Sequence, residues 1–472
     1  MKLLEVFFNN CAKNDDVVIT DVYFNDVKYK LVYVIEMVDI RKFNYEIKPF
    51  INSDNINNLN SELLGLCNII TDISCDNLEY LLYSGKILLF YENIYYSFEL
   101  TNRPKRAISK SSIDPDEESN SQDGLIEDFN TNITLIKRRI KSNKLIINKE
   151  KIGELTKTDY GVLYLNDKCN KNILKYVNNI LDSNKNNEVI SINDITNMFQ
   201  ENQLIPKTVI TSSPNIICSS LIKGKIVIII DNSPIACIID ATLFNFTFSK
   251  SYIESPKYFN IFNHFFIIVF LIISLFSMGL FIAIINYHPS IIPLPFLANI
   301  KITERGTSWS MFIEVIIVYF LFEFYRFATS RSVNNYIQNI IIILGGLFIG
   351  QNAIESGTIG GTILFLTSIS YIAVFAVTNN TYLITSINIF RFFILLMSYF
   401  LGILGFIISS FIVMFYLFKQ NNNSNYYLYP IIPFHFKAFK AYLNPKNKYR
   451  DWNYEKTYNF FNNYFIFNTT NN

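Results

Sequence analysis

The sequence predicts an α/β soluble N-terminal half of two small domains, followed by an α-helical polytopic membrane domain and a short tail. Two observations predict this division. Sixty-two charged side chains precede residue 264, whereas only nine lie among residues 264–418. Strand-like and helix-like patterns alternate in the first half, and long apolar runs fill most of the second. The net charge of +2 argues against a protein that mainly coats nucleic acid.

The first α/β soluble domain is predicted to span residues 1–108, with a linker at residues 109–124. Three strand-like runs and one helix-like run are expected in this domain, at residues 17–20, 30–35, 86–91 and 77–83, respectively. The linker combines charged residues with Ser, Pro and Gly, a composition that is typical of loops. We therefore expect a separately folded unit on either side of it.

The second α/β soluble domain is predicted over residues 125–258 and opens with a helix at residues 125–141. Apolar residues recur there at helical spacing, and Lys137, Arg138 and Arg139 fall in the last turn. Basic side chains at that position complement the helix dipole. Two interpretations of the cluster stay open: a solvated helix end, or an interface with acidic lipid or another subunit.

The rest of the second domain is also predicted to alternate between helices and strands. Helices are expected at residues 171–182 and 191–200, and the second of them has a Ser191 cap with Asp194 three residues on. Strands are expected at residues 160–166, 226–231 and 235–240.

The transmembrane helical domain is predicted over residues 259–418, with four to five spans. Residues 264–287 carry no formal charge and can cross a hydrocarbon core of roughly 30 Å at about 1.5 Å per residue. The other candidate spans are residues 311–328, 337–351, 361–377 and 392–418. Several Lys and Arg residues in the tail, residues 419–472, place it in the cytoplasm with the soluble half, which requires an even number of spans.

Ionisable residues within the predicted spans are candidates for function, because a charge in lipid costs on the order of 3 kcal/mol on insertion scales. Glu314 and Glu323 lie in the second span, and Glu355 lies in a polar, Gly-bounded break between two apolar runs. These three carboxylates are the candidates for an ion path. Glu323 and Arg326 share a helix face and equally suit a structural ion pair. Glu355 equally suits a tight turn at the membrane surface.

The sequence contains no motif of an enzyme, a cofactor site or a metal site. Its six cysteines form no Cys-x-x-Cys pair, so reduced thiols are expected rather than a zinc site or a disulfide framework. All three histidines lie at or beyond residue 264, which excludes a His-based catalytic site in the soluble half. Phosphate loops, nucleophile elbows and zinc-protease motifs are absent from the sequence. We predict no catalytic residue, no metal and no cofactor.

Several segments resemble one known family in their order and spacing. They are residues 130–141 and 221–234, His288-Pro-Ser-Ile-Ile-Pro293, Phe322-Glu-Phe-Tyr-Arg326, Ile349-Gly-Gln-Asn-Ala-Ile-Glu-Ser-Gly357 and Tyr429-Pro-Ile-Ile-Pro-Phe434. Through them the chain resembles the GerA family, the A subunits of spore germinant receptors, whose relatives include the SpoVAF proteins. The acidic residue that usually follows the second-span arginine in that family is Phe327 here.

The resemblance implies a membrane subunit of a spore germinant receptor complex in the inner membrane of a bacterial endospore, with the soluble domains facing the spore core. It implies a transporter-like B subunit and a lipoprotein C subunit as partners, together with membrane lipid but no nucleic acid. It also implies a homo-oligomer that opens as a nutrient-gated cation channel and starts germination. The alternatives are a non-conducting scaffold or signalling subunit and a SpoVAF-like ion-release protein.

Overall fold

A computed structural model describes most of the chain. The described residues are 2–11, 14, 16–24, 27–49, 67–70, 73–91, 94–100, 124–200, 203–239, 241–243, 246, 257–305, 307, 309–331, 350–422 and 425–428. The predicted linker, apart from its last residue, and most of the predicted span at 337–351 lie outside the described residues, as does the tail from residue 429 onward.

The first soluble domain is a five-stranded antiparallel sheet in the order β1-β2-β4-β5-β3. Its strands are β1 Val17–Phe24, β2 Val27–Val34, β3 Cys67–Ile69, β4 Ile87–Tyr91 and β5 Ile94–Phe98. Apolar side chains alternate between the two faces. Helices α1 (Lys2–Cys11) and α2 (Cys75–Tyr83) cover one face, and a short helical segment over Ile40–Lys42 and Phe43–Ile47 covers the other. The predicted strands and helix are confirmed, whereas β3, β5 and α1 were not predicted.

The second soluble domain is a five-stranded antiparallel sheet in the order β6-β7-β9-β10-β8. Its strands are β6 Leu145–Ile152, β7 Thr158–Leu165, β8 Thr208–Thr211, β9 Val227–Ile230 and β10 Ala236–Ile239. Helices α3 (Phe129–Arg139) and α6 (Pro214–Ile222) cover one face. Helices α4 (Lys171–Ser183) and α5 (Ile192–Gln200) cover the other. Here the unpredicted elements are β6, β8 and α6.

Helix α3 begins later than its apolar pattern predicts. The carboxylate of Asp128 accepts a hydrogen bond from the Thr131 backbone N–H at 2.7 Å, so Asp128 is the N-cap residue. The apolar residue Leu125 precedes this cap and still packs into the core beneath α3.

Both soluble domains have the same topology. Each sheet runs first, second, fourth, fifth and third strand, and each domain places helical structure before its first strand, after its second strand and after its third. The α/β half therefore consists of two domains with one topology, an internal repeat that the sequence pattern did not reveal.

Six helices follow the soluble domains in the described part of the chain. They are α7 Lys257–Tyr287, α8 Leu294–Arg305, α9 Met311–Arg331, α10 Gly350–Glu355, α11 Gly361–Val377 and α12 Thr381–Lys419. Two segments, Ile261–Tyr287 and Thr381–Lys419, are long and apolar enough to cross a membrane by length and composition, and α11 is a shorter apolar helix. Helix α9 covers the residues of the predicted second span and carries their charged side chains, but it is not one of the two segments that pass as membrane spans by length and composition.

Helix α12 folds back on itself at Gly402, which has a non-helical backbone (φ 62°, ψ −141°). The rings of Phe390 and Tyr416 lie 5.6 Å apart on either side of the break, so the helix forms two antiparallel arms. The first arm comprises residues 381–401 and the second residues 403–419. At about 1.5 Å per residue the arms are about 31 and 26 Å long, and the predicted span at 392–418 covers parts of both.

The helices have two distinct ends relative to the soluble half. The Thr378 hydroxyl, between α11 and α12, donates to the Phe246 carbonyl at 2.9 Å, and the Leu243 N–H donates to the Tyr427 carbonyl at 2.9 Å. We call this the near end. At the opposite, far end, the Tyr287 hydroxyl donates to the Tyr399 carbonyl at 2.9 Å beside the Gly402 break.

Candidate functional site

The candidate site is a network of polar side chains between α9, α11 and α12, centred on Glu323. Arg326 Nε donates to Glu323 Oε2 at 2.8 Å, as expected for two residues three apart on one helix face. The Tyr371 hydroxyl donates to Glu323 Oε1 at 2.9 Å, and Asn388 Nδ2 donates to the same oxygen. Glu323 therefore joins three helices through its two carboxylate oxygens.

Arg391 extends this network into the centre of the helices. One nitrogen of its guanidinium donates to the Ser370 carbonyl at 3.1 Å and the Ser370 hydroxyl at 3.2 Å, and the other donates to Asn388 Oδ1. The guanidinium lies 4.6 Å from the ring centre of Tyr319 and 5.0 Å from that of Tyr371. Asn388 thus links the buried guanidinium of Arg391 to the Glu323 carboxylate through one hydrogen bond to each.

The network also reaches the first membrane helix. The Ser370 hydroxyl donates to the Ser274 carbonyl of α7 at 3.3 Å. Side chains of α9, α11 and α12 and backbone of α7 are consequently held by one connected set of hydrogen bonds. Hydrogen bonds connected in this way strengthen one another, so the network holds the four helices together as a set.

The charges in the network differ in their access to the helix surface. Arg391 is 2% exposed, whereas the side chains of Glu323 and Arg326 are 36% and 26% exposed. A charged side chain in a membrane segment normally faces a water-filled path or a protein partner, because facing hydrocarbon is costly. The more exposed side of this network therefore presents the Glu323–Arg326 ion pair, and its buried side holds the Arg391 guanidinium.

Glu314 lies apart from Glu323, at the far end. It is fully buried, and its Oε2 accepts a hydrogen bond from the Gly360 N–H at 2.8 Å, just before α11 begins. Its Oε1 has no hydrogen-bond partner among the described residues. Nine residues of helix separate Glu314 from Glu323, a rise of about 13.5 Å, so the structure does not bring the two carboxylates together.

Glu355 ends the short helix α10, where its carboxylate accepts a hydrogen bond from Gln351 Nε2 at 2.9 Å. Gly357 follows with φ +65°, a conformation that favours glycine, and its N–H donates to the Ile354 carbonyl at 3.1 Å. Glu355 is exposed and belongs to this helix end and turn. The structure therefore places it outside the Glu323 network.

The basic cluster at the end of α3 lies where the two soluble domains meet. Lys137 forms an ion pair with Asp16 of the first domain, and their side chains are 1% and 0% exposed. The Lys137 ammonium also lies 5.2 Å from the ring centre of Tyr83. Lys137 thus joins two domains of one chain, and a subunit interface at Arg138 and Arg139 stays a prediction.

Sequence reasoning identified Glu323 and Arg326 but assigned no role to Arg391, Asn388 or Tyr371. One signal was available for Arg391, since it is the only charged residue between Glu355 and Lys419. Its neighbour Asn388, three residues earlier, is polar in the same apolar run. Nothing in the sequence indicates that both would meet Glu323, because that depends on how α9 and α12 pack.

Cys11, Cys75, Cys169, Cys218 and Cys237 are free thiols. Cys11, Cys218 and Cys237 are buried, and burial raises the pKa of each thiol to about 12. Such thiols remain protonated and unreactive at neutral pH. In the part of the chain that the structure describes, no group of three or more His, Cys, Asp or Glu side chains is arranged to hold a metal ion.

Comparisons with known proteins find spore germination proteins that match most of this chain. Residues 5–449 match the family model described as Bacillus/Clostridium GerA spore germination protein. The chain is 29% identical to Spore germination protein XA of Bacillus anthracis, over 85% of this chain and 84% of that protein. It is 27% identical to a protein of Bacillus subtilis (strain 168) named Uncharacterized membrane protein YfkQ, over 66% of this chain and 61% of that protein.

One solved structure is also similar to this chain. It is the crystal structure of the N-terminal domain of the A subunit of the Bacillus megaterium spore germinant receptor GerK3. The identity is 23% and the TM-score 0.37, with 50% of this chain and 93% of that chain covered.

Proposed function

This chain belongs to the Bacillus/Clostridium GerA family of spore germination proteins, and from that premise we propose that it is the A-type membrane subunit of a spore germinant receptor. In this proposal several copies assemble in the membrane, and nutrient binding to the receptor opens a cation path between them. The reaction is transport of ions, with no enzymatic step.

The observation that carries this proposal is the partial exposure of Glu323 on the outside of the helices. Arg391 fills the centre of the described bundle, so a conduit there would meet a buried cation. The Glu323 side chain is instead 36% exposed while paired with Arg326, and contact of this ion pair with hydrocarbon would be costly. A water-filled seam between neighbouring copies of the chain would give the Glu323 side chain both water and a protein surface to face. A carboxylate in such a seam raises the local concentration of cations.

The orientation proposed for the chain follows from the near end of the helices. The second soluble domain and both ends of the α12 hairpin lie on that side, and the tail sequence after residue 419 is rich in Lys and Arg. By the positive-inside bias we place this side in the spore core, with the helices in the inner membrane. The proposed partners are a transporter-like B subunit, a lipoprotein C subunit and further copies of this chain.

A non-conducting scaffold is the second candidate function, and one observation favours it. Glu323 accepts three hydrogen bonds, from Arg326, Tyr371 and Asn388. A carboxylate that is this well bonded also suits a purely structural role, in which the network holds the helices together and ions pass elsewhere. A SpoVAF-like ion-release role would use the same residues without a nutrient-binding partner.

The experiment replaces Glu314, Glu323 and Glu355 singly by Gln in spores and measures nutrient-triggered cation release. Glu323→Gln is expected to slow release about tenfold, equivalent to about 1.4 kcal/mol, while the protein still assembles. Glu314→Gln is expected to slow it less, since that carboxylate is buried, and Glu355→Gln least. The control is Ser368→Ala, whose hydroxyl donates to the Leu364 carbonyl within α11. Normal release in all three Gln variants would refute the ion-path assignment.

A further inference from the structure

One loop of the second soluble domain rests on the near ends of both arms of the α12 hairpin. The loop comprises residues 203–207, between α5 and the edge strand β8. The Leu204 N–H donates to the Tyr416 hydroxyl on the second arm at 3.2 Å. The Leu204 carbonyl accepts a hydrogen bond from the Ser386 hydroxyl on the first arm. The backbone of a single residue therefore bridges the two arms.

The side chain of the next residue reinforces this contact. Ile205 is 2% exposed and belongs to an apolar cluster that contains residues of both arms, among them Leu383, Ile387, Val413 and Leu417. Burial of an aliphatic side chain is favourable, so this contact holds the loop against both arms. The two arms and the loop consequently move as one unit.

The loop is also joined firmly to its own domain. Gln200 Nε2, at the end of α5, donates to the Thr208 hydroxyl at the start of β8 at 2.8 Å, which ties the two ends of the loop together. Pro206 fixes its own φ and restricts Ile205 to extended conformations. A rotation of the β-sheet would therefore move Leu204 with it, because the loop has little conformational freedom of its own.

Ser386 connects this contact to the candidate site. Asn388 and Arg391 follow Ser386 by two and five residues on the same helical arm, and both take part in the network that holds Glu323. A displacement of the near end of this arm therefore shifts the Asn388 side chain relative to the Glu323 carboxylate. Such a shift would break the hydrogen bond from Asn388 to Glu323 and the one from Arg391 to Asn388.

We propose that the loop at residues 203–207 is the coupling contact through which the second soluble domain sets the position of the α12 hairpin and, through Asn388, the state of the Glu323 network. This inference rests on the proposed function and adds to it the path of regulation. Leu204 acts through Ser386 and Tyr416 and is a positioning residue that does not itself touch the ion.

The test removes both hydroxyls that hold Leu204, in the double variant S386A/Y416F of the full chain in spores. Nutrient-triggered cation release is expected to slow about tenfold, with normal amounts of protein in the membrane. The matched control is S410A/Y399F, which removes one hydroxyl from each arm away from the loop, Tyr399 lying beside the Gly402 break, and should change release less than about twofold.

The variant E323Q is measured in parallel, so that failure of the inference is distinguishable from failure of the proposed function. Slow release in E323Q with normal release in S386A/Y416F would overturn the coupling contact and leave the function intact. Normal release in both would refute the function and the coupling with it. If S386A/Y416F does not reach the membrane, a two-glycine insertion between Pro206 and Lys207 is the second variant. It keeps the hydrogen bonds of Leu204 to the two arms but makes the connection between the loop and strand β8 flexible. Normal release with that insertion would equally overturn the inference.

Discussion

At the scale of single residues, the ion pair of Asp16 and Lys137 is the most completely buried charge pair among the described residues of the soluble half. Neither group has a further hydrogen-bond partner among the described residues, so the pair depends on its own attraction to offset desolvation. A buried pair of this kind contributes little net stability, but removing one partner leaves an uncompensated charge. The pair therefore fixes how the two domains meet more than it stabilises either one.

We predict that Lys137→Met lowers the free energy of unfolding by about 3–5 kcal/mol, because Asp16 would remain buried without a counter-charge. The double variant D16L/K137M should recover most of that loss, since it removes both desolvation costs. Lys141→Met is the control: its ammonium is exposed and lies 4.9 Å from the ring centre of Tyr80. The measurement is unfolding of the full chain in detergent, and equal losses for Lys137→Met and Lys141→Met would contradict the prediction.

Asp194 gives a prediction for pH dependence. Its carboxylate accepts hydrogen bonds from the backbone N–H groups of Ser191 at 2.9 Å and Ile190 at 3.0 Å, and these bonds lower its pKa below the ordinary value. A carboxyl whose pKa is lowered on folding stabilises the protein above its unfolded pKa of about 3.9. That contribution is lost as the pH falls through the lower, folded pKa.

The variant Asp194→Ala should therefore unfold more easily at pH 7, by about 1 kcal/mol, because it loses the hydrogen bonds that its carboxylate accepts from residues 190 and 191 before α5. The difference between variant and wild type should shrink on acidification, when the wild-type carboxylate becomes protonated. Thermal unfolding of both proteins at pH 7 and at successively lower pH tests this. If the difference in stability between wild type and Asp194→Ala stays constant down to pH 3, the ionised carboxylate is not what stabilises the helix start.

At the scale of secondary-structure elements, the break at Gly402 determines how the last helix crosses the bundle. A Cβ built on Gly402 would lie 2.8 Å from the Tyr287 ring, and φ is positive at 62°. Both the backbone conformation and the contact therefore require glycine. Tyr287 in turn donates to the carbonyls of Tyr399 and Phe400, which are left without helical donors by the break.

We predict that Gly402→Ala destabilises the membrane domain by about 1–3 kcal/mol, through backbone strain and displacement of Tyr287. Gly361→Ala is the matched control, since a Cβ there meets no atom within 4 Å. Thermal unfolding of the two variants in detergent should separate them clearly. A stability of Gly402→Ala equal to that of Gly361→Ala would indicate that the hairpin turn tolerates a side chain.

The hairpin illustrates which elements sequence patterns can predict. Residues 264–287 and 361–377 were predicted as spans because uninterrupted apolar runs of that length have few other interpretations. The fold-back at Gly402 was not predicted, because glycine is common inside transmembrane helices and only the approach of Tyr287 makes it a turn. The edge strands β3 and β8, three and four residues long, were also missed, as were the longer strands β5 and β6.

At the scale of the whole molecule, the two soluble domains, the loop at residues 203–207 and the α12 hairpin form a continuous series of contacts that ends at Glu323. The sequence predicted the α/β half, the helical half and the carboxylates of α9. It could not predict the partners of those carboxylates, because Asn388 and Arg391 meet Glu323 only through tertiary packing. The same holds for Asp16 and Lys137, which belong to different domains.

The passage of cations beside Glu323 on activation of the receptor is the central proposal for this protein. Its most direct test reconstitutes the purified full chain with its partner subunits in liposomes loaded with K⁺ and measures nutrient-dependent efflux. We predict efflux from wild-type liposomes, reduced about tenfold by Glu323→Gln with the same amount of assembled complex. Efflux that is unchanged by Glu323→Gln, or absent from an assembled wild-type complex that binds nutrient, would contradict the account.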